Sequence, residues 1–168
     1  ESKSGTTGTT VTATAKTYEG FTFDADNTNN VLSGTIAADG KLVLKLYYTR
    51  NSYKVSYKYG TAPAGASALP TEGTYEYGAV VTVANAATAP GYIFNGWSQT
   101  GTFEMPAEDV VITGSWSANK DTAYKVEHYV EDLNADTFTL QDTESKSGTT
   151  GTTVTATAKT YEGFTFDA

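Results

Sequence analysis

His128 is the sole histidine of the chain, and cysteine is absent. Acid–base and nucleophilic catalysis draw first on histidine, and thiolate chemistry needs cysteine. His128 falls in the alternating series Tyr124, Val126, His128, Val130. That phase assigns it a packing or edge role in a strand rather than a metal or catalytic one. Two loops place oxygen side chains at alternate positions: Asp24, Asp26 and Thr28 in DADNTNN, and Asp132, Asn134 and Asp136 in EDLNAD. Such spacing suits a hard cation. Both loops lack the glycine at the sixth position and the distal glutamate of a calcium loop. Asx-rich segments ordinarily cap their own backbone, and that is the expectation for both. A lysine–asparagine isopeptide bond needs a buried lysine, whereas Lys54 and Lys125 take the outward phase of their strands. No catalytic, cofactor-binding or metal-ligating residue is assigned, no cofactor is expected, and the chain is not expected to be an enzyme.

The remaining chemistry is aromatic. Tyr18, Tyr47, Tyr48, Tyr75, Tyr77 and Tyr92 offer flat apolar faces with a polar tip, which suits stacking on a pyranose ring. The same residues serve as core and cross-strand pairs, and packing is the default expectation. Lys and Arg number 11 against 19 Asp and Glu, for a net charge of −8. With no basic cluster, nucleic acid is not an expected partner. No apolar run approaches the length of a membrane span, so no membrane insertion is expected in this segment.

The elements that must position these residues read as strands. Tyr53, Val55, Tyr57 and Tyr59 alternate with Lys54, Ser56 and Lys58, the period of a half-buried strand. KLVLKLYY (41–48) follows an Asp39-Gly40 turn signal. VVITGSW (110–116) is its counterpart, with Met105 to Asp109 as the turn. YIFNGW and FTFD are short strands. A short helical or irregular crossing is expected near 12–20 or 83–91. The fold class is therefore mainly β with minor α (α+β), with at most one short helix per module. Phe94, Trp97, Phe103 and Trp116 are the expected core of one module, and Phe21, Phe23, Leu42, Leu44 and Leu46 of the other.

Two levels of repetition organise the chain. ESKSGTTGTTVTATAKTYEGFTFDA occupies both 1–25 and 144–168, a period of 143. Within it, YKVSYKY at Tyr53 and YKVEHYV at Tyr124 lie 71 apart. GAVVTVANAATAPGYIFN and GTTVTATAKTYEGFTFD share G-x-x-V-T followed by G-aromatic-x-F-Asn/Asp. GTFEMPAEDVVITGSW and GTIAADGKLVLKLYY close the two halves. The reading is two diverged copies of one fold, each of about 70 residues. Residues 51–119 form a complete module. Residues 1–50 are the C-terminal part of the other, lacking its first strand, and 120–168 are the N-terminal part of its next copy.

The stretch YKVEHYVEDLNADTFTLQDTESKSG and onward, continued by SGTIAADGKLVLKLYYTR, resembles mucin-binding-protein (MucBP) type repeats. YKVSYKYGTAPAG, GYIFNGWS and MPAEDVVITGSW resemble SHIRT repeats and the related Listeria–Bacteroides (internalin B-repeat) modules. These resemblances imply tandem, small β-grasp-like modules in an elongated array. They imply the stalk of a Gram-positive surface adhesin, extracellular and anchored to the cell wall. The unpaired strand edges of 1–50 and 120–168 make the expected partners neighbouring repeat modules of the same chain or head-to-tail copies, residues 120–143 of one molecule completing 1–50 of another. The alternative function the resemblances imply is a module that binds mucin or other host glycans.

Overall fold

The computed structural model describes residues 1–167. Among them, twelve strands follow in chain order: β1 Thr10–Thr12, β2 Phe21–Phe23, β3 Ser33–Thr35, β4 Tyr48–Arg50, β5 Ser52–Tyr59, β6 Gly73–Glu76, β7 Val80–Thr82, β8 Tyr92–Trp97, β9 Thr102–Glu104, β10 Val110–Ala118, β11 Thr122–Glu131 and β12 Phe138–Gly148.

No described residue is helical, so the expected α+β, β-grasp-like class is corrected to all-β. The two segments expected to hold a short helical or irregular crossing, 12–20 and 83–91, are mostly irregular chain running into a tight turn. Phe21 N–H donates to Tyr18 O at 3.1 Å, and Tyr92 N–H donates to Ala89 O at 3.2 Å. The third turn residue is Gly20 in one and Gly91 in the other, both at φ 75°. That is the position where a type II turn demands positive φ, and Pro90 presets the residue before it. In 12–20 the alternating threonines disfavour the helix that the alanines alone would allow, and in 83–91 Val83, Asn85 and Pro90 do.

The ladder pairings recur in the same order along the chain. β1 pairs with β3 and β2 with β4. Later, β7 pairs with β9 and β8 with β10. The hairpins β5·β6 and β11·β12 precede and follow the second set. These six pairings are antiparallel. One sheet has four strands in the order β6-β5-β10-β8, and the others have two.

The chain forms two compact units. The first comprises 1–58, 70–84 and 98–113. Its fully buried side chains are Val55, Val81, Met105 and Ile112. Met105 was expected in a turn. Instead its N–H donates to Ala79 O and its carbonyl accepts from Gly78 N–H, both at 2.8 Å. This prolongs the β7·β9 ladder by one residue. With Phe103 on the same phase, Met105 faces inward, and its unbranched thioether fills a fully buried site. Phe103, Phe23, Leu42, Leu44 and Leu46 are half-buried, and Phe21 is at the margin of exposure.

The second unit comprises 59–69, 85–97 and 114–168. Its core is aromatic. Tyr59 stacks on Trp97 at 5.6 Å, with planes 10° apart. Phe94 meets Trp97 at 5.0 Å and Trp116 at 4.8 Å. Rings this large can close a core in a unit with few aliphatic side chains. Gly114 permits the approach, since a Cβ there would strike both Phe94 and Trp97.

Candidate functional site

In the first unit the chain brings Tyr18, Tyr47, Tyr48 and Tyr77 around one open concavity of about 560 Å³. Glu19, Phe21 and Leu46 complete its wall. Tyr18 and Phe21 flank the 18–21 turn, which puts both rings at one corner. Tyr48 lies in β4, paired with Phe23 of β2. Its ring meets Tyr18 edge-on at 5.0 Å and Phe23 at 5.7 Å. Its hydroxyl accepts a hydrogen bond from the Lys16 N–H at 2.9 Å. Tyr77 meets Phe21 edge-on at 5.7 Å and covers the buried Gly20.

The wall is apolar and aromatic, with Glu19 as its one charged residue and tyrosine hydroxyls as polar tips. Tyr18 is half exposed, at 50 %. Such a surface stacks flat, partly apolar rings and hydrogen-bonds their edges. It holds no nucleophile–base pair. Four of the six tyrosines singled out in the sequence therefore meet. The other two do not line this concavity: Tyr75 stands across from Tyr53 in the β5·β6 ladder, and Tyr92 opens β8. Glu19 and Leu46 were not legible as neighbours, because only the turn at Gly20 and the β2·β4 pairing bring residues 27 positions apart together.

His128 lies half-buried in β11. Its Nε2 is 2.8 Å from Glu144 Oε1, and its ring meets Tyr161 edge-on at 6.2 Å. Glu144 also pairs with Lys146 at 3.0 Å and Lys159 at 3.3 Å. Lys159 forms a further ion pair with Asp142. The His128 hydrogen bond, then Lys146 and Lys159, hold the Glu144 carboxyl down to about 2. This cluster is a cross-strand charge network that fastens the hairpin. Its sequence signal was the Glu-x-Lys alternation at 144–146, which puts both side chains on the His128 face.

The acidic loops spend their oxygens locally. Asp24 Oδ2 accepts from Asn27 Nδ2 at 3.1 Å, and Asp24 O accepts from Asn30 Nδ2 at 2.7 Å. Asp132 accepts from the Thr137 and Thr139 hydroxyls, which lower its carboxyl below the usual range. Among the described residues no group of three or more His, Cys, Asp or Glu gathers to hold a metal. Lys54 and Lys125 are both exposed, and Lys54 is ion-paired with Glu72. Among the described residues no helix is long and apolar enough to cross a membrane.

Residues 57–120 match the family model of the divergent InlB B-repeat domain. The match spans β5 to β10 except for the first residues of β5. It agrees with the internalin B-repeat-like character read at GYIFNGWS and MPAEDVVITGSW. No curated protein and no solved structure is significantly similar to the chain.

Proposed function

We propose that this chain is a spacer segment from the repeat region of a bacterial surface adhesin, one that holds a binding tip away from the cell wall. The observation that carries the reading is the 25-residue stretch repeated without change at a period of 143, around a B-repeat-like module at 57–120. B-repeat-like modules occur in bacterial surface proteins. Recombination between copies keeps repeats alike, and a spacer tolerates changes in copy number. Within this reading, 51–119 is a SHIRT or B-repeat type module, and 120–168 with 26–50 is a MucBP-type module. Small-angle scattering on proteins of one, two and three periods tests it. The maximum dimension should grow nearly linearly with copy number. Growth nearer the cube root would mean a globule and would end the spacer reading.

A second reading is favoured by the tyrosine concavity: a glycan-binding module whose pyranose ring stacks between Tyr18 and Tyr77. A glycan array on the 168-residue chain tests it, with Tyr18→Ala and Tyr77→Ala as controls. Binding that survives both substitutions would place the ligand elsewhere.

A further inference from the structure

The two identical 25-residue stretches adopt different halves of one pattern. Glu144–Gly148 belong to β12 and pair with β11 over Thr122 to Val126. In that stretch Glu144, Lys146 and Gly148 are half-buried while Ser145 and Ser147 are exposed. Glu1–Gly5, the same five residues, are all exposed and belong to no strand. The reverse holds further along. Thr10–Thr12 pair with β3 and Phe21–Phe23 with β4, whereas their counterparts at 153–155 and 164–166 belong to no strand. Each copy uses the partners that the other lacks.

The four-stranded sheet shows what the whole pattern is. There the hairpin β5·β6 lies beside β10, and β10 lies beside β8. The hairpin β11·β12 and the pair β2·β4 are the same two halves, each left as a two-stranded sheet. The edges that would join them are open. Lys45 exchanges both main-chain hydrogen bonds with Val31, at 2.8 and 3.0 Å. Alternate residues of an extended chain aim their N–H and C=O at opposite edges, so Leu44 and Leu46 aim theirs away from Val31. The aligned position in β10 is Gly114, whose carbonyl accepts from the Gly60 N–H at 3.1 Å. Among the described residues no strand lies at the Leu44–Leu46 edge. The run KLVLKLYY accordingly holds strand geometry only at Lys45 and Tyr48, while its counterpart Val110–Trp116 is strand throughout.

We propose that this edge receives β11 from a second copy of the chain, giving the order β12-β11-(41–50)-β2 across the two molecules. No existing ladder has to break. The incoming chain brings its own Glu144–Gly148 on β12, and the receiving Glu1–Gly5 has no strand pairing to lose. The receiving Thr10–Thr12 and Phe21–Phe23 keep their partners. Val43, 62 % exposed, and Tyr129, 54 % exposed, lie on the two joining segments. Open edges of this kind recruit strands. Each chain carries one donor edge and one acceptor edge, so association runs head to tail. The inference holds whether or not the chain serves as a spacer.

Sedimentation of the 168-residue chain over a concentration series tests it, with one variant for each edge. The Gly60 N–H donates to Gly114 O of β10, and the Lys54 N–H, on the same phase, donates to Asp109 Oδ1 just before β10. The aligned phase in β11 includes Lys125 and Glu127, so Glu127→Pro removes a donor from the open edge. Leu44→Pro does the same for the receiving edge. The parent should gain mass with concentration, and each variant alone should stay monomeric. An equimolar mixture should form a 1:1 dimer, because one variant keeps the acceptor and the other the donor. A monomeric parent at millimolar concentration, a monomeric mixture, or association that persists in both variants would overturn the proposal. Amide exchange in the parent reads the same edge without any substitution. Exchange at Leu44 and Leu46 should slow as concentration rises, and unchanged rates would overturn the proposal even if a variant failed to fold.

Discussion

The Trp97 indole is the buried ring of the second unit's aromatic cluster. It is 8 % exposed, stacked on Tyr59, and its Nε1–H donates to Asn85 O at 3.0 Å. Trp97→Ala should cost about 3–5 kcal/mol in chemical denaturation, the range for removing a buried large aromatic. Trp97→Phe keeps a ring in the stack but strands the Asn85 carbonyl, and should cost less than the alanine variant. A loss below about 1 kcal/mol for the alanine variant would place this indole outside the core. Glu144 makes a different prediction. Its carboxyl is held at about 2, below the ordinary 4.5, first by His128 and then by the two lysines. A depressed carboxylate contributes stability above its unfolded pKa and loses it as pH falls through the folded one. The stabilisation is therefore full above about pH 4.5 and lost between there and about pH 2. Thermal unfolding between pH 2 and 6 should show a shallower acid slope in Glu144→Gln than in the parent. Identical slopes would mean that solvent screens the cluster completely.

At the scale of the element, the repeated turn Tyr-Glu-Gly-Phe offers an internal control. Gly20 and Gly163 have the same neighbours in sequence and the same hand of backbone, at φ 75° and 82°. A Cβ at Gly20 would collide with the Tyr77 ring, while one at Gly163 meets nothing within 4 Å. Alanine at either site incurs the left-handed penalty of about 1–2 kcal/mol. Gly20→Ala should cost clearly more, because Tyr77 must also move. Separate denaturation of the two variants measures the difference. Equal losses would show that Tyr77 yields freely and that its contact with the turn is loose. The hairpin β11·β12 needs no such glycine. Its register is held over ten residue pairs with one irregularity at His128/Tyr129, and the half-buried face repeats every second residue of β11.

For the whole molecule, residues 51–119 should fold alone. That span holds β5 to β10, the complete four-stranded sheet and the β7·β9 pair. It also holds the four fully buried side chains and all four rings of the aromatic cluster. The isolated fragment should give dispersed amide resonances and one cooperative thermal transition. A molten spectrum would mean that the flanking segments are part of its core. Strand positions were legible in the chain because period-2 alternation survives in any antiparallel context, as at Tyr53–Tyr59. A turn was legible at Asp39-Gly40, where Gly40 takes φ 64°. The short helical alternative at 12–20 and 83–91 was not excluded by composition, since alanine favours a helix while Thr12, Thr14 and Thr17 in one segment and Val83, Asn85 and Pro90 in the other oppose it. Met105 read as turn because Met-Pro-Ala is locally ambiguous, and only the ladder to Ala79 turns it inward. The tyrosine concavity depends on residues 18, 47, 48 and 77, which no local pattern connects. The plainest case is ESKSG. The same five residues are strand at 144–148 and unpaired chain at 1–5. The sequence by itself determined that this segment is able to form a strand, since alternation and side-chain type are local. Whether it does so was decided by tertiary structure alone, because a strand is completed by hydrogen bonds to a partner that its own residues do not encode.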